Sequence, residues 1–187
     1  MKTFKQTVSF LFVVVMFFSF AGQSLGSDID QNADPNSQAS QAIALAESNG
    51  HDVSLTVEEL AGLIRAIESA SFAVDADDDS ESLTNGGSRR YKCSATEWYV
   101  GNQLTVNWWA DTTVQNGVIV RINSSGWNYT WLPIVPTFDA VVSATATATI
   151  LDSGRKIELR LDGTVKYYFA GILLSTRALN LKGTKHA

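Results

Sequence analysis

Three regimes of hydrophobic patterning follow one another along the chain. The first is an almost unbroken apolar run from Phe10 to Phe20, preceded by Lys2 and Lys5. A positive start, a short apolar core and a small-residue exit form the signal-peptide pattern. Ser19 and Ala21 place small residues for a cleavage that removes residues 1–21, and Ser24 and Gly26 offer a second exit that would extend the leader to residue 26. The run falls short of the roughly 20 apolar residues a spanning helix needs. The pattern predicts a secreted, extracellular protein.

The second regime is helical. Asp34-Pro35 is a start signal, with Ala39, Ile43 and Ala46 on one side and Asn49-Gly50 as the stop. Thr56 and Glu59 have the spacing of a capping box ahead of an apolar run. Val57, Leu60, Ile64 and Ile67 then recur at helical intervals. This stripe needs a cover, either the first helix or the domain that follows.

The third regime begins at Tyr91 and alternates with period two. Ile157, Leu159 and Leu161 oppose Glu158 and Arg160; Val118, Val120 and Ile122 oppose Ile119, Arg121 and Asn123. Turn signals stand at Gly101-Asn102, Asn116-Gly117, Ser124-Ser125-Gly126, Asp152-Ser153-Gly154 and Asp162-Gly163. About seven short strands with no intervening helix predict an antiparallel sandwich or barrel. Phe138–Leu151 reads as one long strand, and the apolar Phe169–Leu174 as a strand buried on both faces. The expected fold is mainly β: a small antiparallel β-sandwich or barrel (91–187) preceded by an acidic, partly helical segment (22–90). Trp98 and Gly101–Val106 are similar to the first hairpin of the avidin family, but the later strands do not follow that family's pattern and nothing is carried over from it.

Charge sharpens the division. Between residues 27 and 88 stand thirteen Asp and Glu against Arg65 alone; from residue 91 onward nine Lys and Arg face six acids. The formal net charge of -5 therefore conceals an acidic first half and a basic second half. Arg89-Arg90 closes the acidic segment behind a Gly- and Ser-rich stretch, as a dibasic processing site would. The segment is then a pro-region or a linker. Asp75–Glu81 resembles the opening of a calcium loop, yet Ser80 and Gly86 occupy positions where that loop needs Gly and a closing Glu. No specific metal site is expected.

Candidate chemistry is sparse. Cys93 is the single cysteine, and His51 and His186 are the two histidines. An internal disulfide is excluded, while a dimer through Cys93 is open. No nucleophile has a base or an activating turn around it, and no carboxylate pair stands out. The chain is therefore read as a non-enzyme without a cofactor. Arg155, Lys156 and Arg160 form too small a cluster for nucleic acid.

What remains is surface. Trp127, Tyr129 and Trp131 share one face of a strand, and Trp109, adjacent to Trp108, faces away from it. Such aromatics are either core or a stacking platform. Asn123 and Asn128 both head glycosylation acceptors. Ser143–Thr149 alternates hydroxyl and methyl side chains. The expected function is a secreted binding module whose ligand-binding residues are Trp127, Tyr129, Trp131 and Trp109, with an extracellular glycan or matrix surface as partner. Two alternatives are a membrane-active, pore-forming or toxin-like protein released by cleavage after Arg90, and a structural matrix protein whose acidic segment associates with calcium.

Overall fold

A computed structural model describes residues 29–75, 83–84 and 87–187. The apolar leader and residues 76–82 of the acidic run lie outside the described residues.

Two helices come first, α1 (Pro35–Ser48) and α2 (Val57–Ser69). Asp34 caps α1, its carboxylate accepting from the Asn36 and Ser37 amides, and Pro35 opens the first turn. At α2 the Thr56 hydroxyl accepts from the Glu59 amide while the Glu59 carboxylate accepts from the Thr56 amide, so the expected capping box is formed. The stripe of α2 is covered from both sides: Leu60, Ile64 and Ile67 are fully buried against α1 and against the sheets.

Among the described residues eight strands follow: β1 (Ala73–Asp75), β2 (Leu83–Thr84), β3 (Ser88–Tyr99), β4 (Asn102–Gln115), β5 (Val118–Leu132), β6 (Phe138–Leu151), β7 (Lys156–Phe169) and β8 (Ile172–His186). A single 3₁₀ turn, Asp152–Gly154, joins β6 to β7. All pairings are antiparallel. One sheet runs β1-β3-β4-β5, with β2 also on β3; the other runs β6-β7-β8. The two sheets pack face to face as a sandwich and do not close into a barrel.

The strands are fewer and longer than their turn signals suggested. Ser124-Ser125-Gly126 lies inside β5, paired with Asp111, Ala110 and Trp109 of β4. Gly126 is there for space: a Cβ at that position would approach Cζ2 of Trp109 to 2.7 Å. Asp162-Gly163 is likewise interior, paired on both sides within β7. A Cβ on Gly163 would strike the Ser143 carbonyl of β6. The true turn comes at Ala170-Gly171, in the middle of the stretch expected to be a doubly buried strand. Periodicity could not separate a buried strand from two apolar strand ends joined by a turn. The first turn sits one residue early, at Val100-Gly101. Asn116-Gly117 is the hairpin it was expected to be.

Helices and sandwich share one core. Tyr91, Trp108, Phe138, Tyr167 and Phe169 fill its centre, and the buried faces of α1 and α2 are continuous with it. One ionic cluster lies within. Glu97 on β3 is fully buried and takes an ion pair from Arg177 of β8 and a 3.4 Å hydrogen bond from the Tyr167 hydroxyl of β7. Arg177 also donates to the Ala70 carbonyl at the end of α2, at 2.6 Å. Three strands and a helix end thus meet at one buried carboxylate. The boundary expected between residues 90 and 91 falls inside β3, after Ser88, Arg89 and Arg90 have already paired with β4.

Candidate functional site

Period-two alternation puts opposite chemistries on the two sides of the first sheet. On β4 the inward side chains, Leu104, Val106, Trp108 and Ala110, are buried. The outward ones are Gln103, Thr105, Asn107, Trp109, Asp111 and Thr113, all partly exposed. Cross-strand partners continue this polar face. Asn107 donates to the Asn128 side chain at 3.1 Å, and the hydroxyls of Thr96 and Thr105 lie 3.1 Å apart. Gln103 donates to Thr105 at 3.2 Å.

At the centre of this face is Trp109. Its indole spreads over Gly126 of β5, and the Arg90 guanidinium lies 5.4 Å from the ring centroid. Arg90 also forms a two-pronged ion pair with Asp111, at 2.7 and 3.0 Å. The Ser124 hydroxyl donates to the same carboxylate at 2.9 Å. The hydrogen bond from Arg90, reinforced by Ser124, holds the Asp111 carboxyl below the usual range and keeps it ionised. An aromatic plane, an amide pair, a guanidinium and a carboxylate therefore stand together on one face of the sheet.

The other three aromatics expected at the site lie on the opposite side of β5. There the strand borders β6 without backbone pairing. Trp131 is half-buried, stacked 5.9 Å from Tyr99, and donates its indole N–H to the Phe138 carbonyl at 3.3 Å. Trp127 is also partly buried and stacks on Tyr129 at 6.2 Å with 18° between planes. Tyr129 is the most open of the three, at 37% exposure. The structure thus separates Trp109 from the Trp127, Tyr129 and Trp131 row by the thickness of the sheet.

Arg89 and Arg90 sit in β3, opposite Thr112 and Asp111 of β4, and Arg89 also pairs with Leu83 of β2. The guanidinium of Arg89 lies 5.0 Å from the Tyr91 ring. Asn123 and Asn128 are exposed on the outer side of β5, away from the aromatic row. Asn123 accepts from Thr113 and Arg121. Cys93 is buried, facing Gly183 of β8. Ser143–Thr149 is part of β6, with its hydroxyl residues outward and its alanines against the core. Among the described residues no group of three or more His, Cys, Asp or Glu is placed to hold a metal ion.

Sequence reasoning passed over Glu97 and four apolar residues at one end of the sandwich. Glu97 carried no signal beyond being a charge at a position that alternation points inward. Burial, only partly offset by Arg177, pushes its carboxyl above the ordinary value of 4.5.

No family model and no curated protein matches the chain. Among solved structures it is similar to a two-domain protein of unknown function from Bacteroides thetaiotaomicron. The identity is 13% over 58% of this chain and 51% of that one, with a TM-score of 0.37.

Proposed function

We propose that the protein is a secreted, non-enzymatic binding module that contacts a glycan or glycan-rich matrix through the outer face of β3-β4-β5. The observation that carries this reading is the setting of Trp109. The indole lies over Gly126, and a sugar ring stacks on it by displacing the Arg90 guanidinium from over the ring. Around it, Asn107, Asn128, Asp111, Ser124 and Arg90 supply the donors and acceptors that vicinal hydroxyls need. The groups are already tied to one another across strands, so little side-chain entropy is lost on binding.

On this reading the weight of the site shifts. Trp109, ranked behind the Trp127 row from the sequence, becomes its centre, and Tyr129 becomes the one exposed member of a separate pair. Modification and binding compete on this face, because a glycan on Asn128 would cover the ground next to Trp109. Retention on a panel of immobilised polysaccharides and matrix glycans tests the reading. Trp109→Ala and Asn107→Ala should each lower retention at least tenfold while the fold is kept. Unchanged retention in both variants would remove the outer face from consideration.

A further inference from the structure

One end of the sandwich differs in kind from the other. It is built from the Val100-Gly101 turn, the loop from Pro133 to Thr137, and the Ala170-Gly171 turn. The four most exposed large apolar side chains among the described residues gather there: Trp98 at 64%, Val100 at 64%, Leu132 at 55% and Ile134 at 66%. Trp98 and Leu132 flank Gln103 in one row of the sheet, and Ile134 lies over Gly101. The chain carries no Asp, Glu, Lys or Arg over residues 98–110, 122–138 or 167–176, three runs that meet at this end, and the exposed Asp139, on the second rung of β6, borders it. Asp152, Arg155, Lys156 and Lys185 stand at the opposite end.

Turn chemistry shows the same bias. Three two-residue hairpins have positive φ at both positions: Val100-Gly101 (45° and 79°), Ala170-Gly171 (48° and 80°) and Asn116-Gly117 (50° and 74°). Asn-Gly is the low-strain choice for this geometry, and a β-branched residue at positive φ is a conformational outlier. The opposite end uses Asn-Gly, whereas the apolar end uses Val and Ala at the same position. Strain is accepted there, and what it keeps out is a polar side chain.

Part of the backbone of the tip is also bonded internally. Pro133 and Pro136 have no N–H. Ile134 donates to the buried Asn102 side chain at 2.9 Å, and the Asn102 amide donates in turn to the Tyr99 and Val100 carbonyls. Phe138 donates to the Val135 carbonyl at 3.0 Å, and Ala170 to the Thr137 carbonyl at 2.7 Å. A protein partner or water would satisfy such groups without this arrangement. A hydrocarbon boundary would not, and there unsatisfied backbone groups are costly.

We propose that this tip inserts into the interfacial zone of a lipid bilayer, with Val100, Leu132 and Ile134 entering the acyl boundary and Trp98 at the level of the headgroups. The absence of charge selects the occupant further. The tip offers nothing to a phosphate or carboxylate headgroup, so attachment depends on apolar burial and not on anionic lipid. The tip borders the outer face at Gln103 but is centred away from Trp109, and it does not depend on the proposed glycan reading.

Flotation of the purified chain with phosphatidylcholine vesicles tests it. The protein should float, to an extent unchanged by added phosphatidylserine or by salt. Ile134→Asp and Val100→Asn should each reduce partition about tenfold or more, as expected for removing one buried aliphatic side chain. Val100→Asn relieves the turn, so it should bind less while unfolding at higher denaturant, which separates loss of insertion from loss of fold. Trp109→Ala should float like the parent chain. No flotation of the parent, or equal flotation of parent, Ile134→Asp and Val100→Asn, would overturn the proposal. So would sedimentation showing a dimer that these two substitutions dissolve while vesicles are ignored, since the tip would then be covered by a second copy.

Discussion

Glu97 concentrates the physics of this molecule at the scale of one residue. Its carboxylate is removed from water, and Arg177 and the Tyr167 hydroxyl supply its only described partners. Burial raises its carboxyl above 4.5 despite the guanidinium. The native state therefore retains this proton at pH values where the unfolded chain has released it, and this group's contribution to stability falls as pH rises through that window. Glu97→Gln removes the titration. The stability of the variant relative to the parent should then increase as pH rises from below to well above 4.5. Paired urea unfolding curves across that range measure it. A relative stability that decreases would show that Arg177 holds the carboxylate ionised more strongly than burial opposes. At the same scale, Gly126 and Gly163 were legible as glycines but not as what they do. Each makes room for a neighbour on an adjacent strand, and that neighbour is set by register.

At the scale of elements, the helices were the most readable part of the chain. Their caps are local: Asp34 and Thr56 bond amides two or three residues away, so sequence spacing suffices to find them. What the caps support is not local. Because α1 and α2 share a core with the strands, loss of a cap should be felt in global unfolding. Asp34→Ala should lower the unfolding free energy by about 1 kcal/mol with an unchanged denaturant slope. No change in midpoint would mean that α1 frays independently of the sandwich. The strands were readable as strands, but their ends were not. Asp162-Gly163 and Ser124-Ser125-Gly126 have turn composition and lie inside β7 and β5. Val100-Gly101 and Ala170-Gly171 turn the chain with little polar signal to mark them.

At the scale of the whole molecule, the described part of the acidic segment packs as part of the sandwich. β1 pairs with β3 at Ala73↔Thr96, Ala70 accepts from Arg177, and the α2 stripe joins the central core. A fragment starting at Tyr91 would lose all three, together with the Arg90–Asp111 pair. Arg177 would keep Glu97 but lose its second acceptor. The fragment 91–187 should therefore show a broadened or absent thermal transition by near-ultraviolet circular dichroism, against a cooperative one for the full chain. A cooperative transition at the same temperature would make the helices dispensable. Cleavage after Arg90 also requires a β3 bond paired with β4 to open, so the folded chain should be cut there more slowly than its unfolded form.

The sequence by itself determined the local order of this protein. It set the leader pattern, two capped helices, the Asn116-Gly117 hairpin and the antiparallel sandwich class, because each depends on residues close together or on a short period. Only the tertiary structure decided which turn signals turn, which side of β5 carries the aromatic row and that Trp109 lies on the other. It alone placed Glu97 beside Arg177, eighty positions away. It also gathered Trp98, Val100, Leu132 and Ile134 into one uncharged tip. The reason is register: period-two alternation tells which residues share a face, but only pairing with distant strands tells what that face meets.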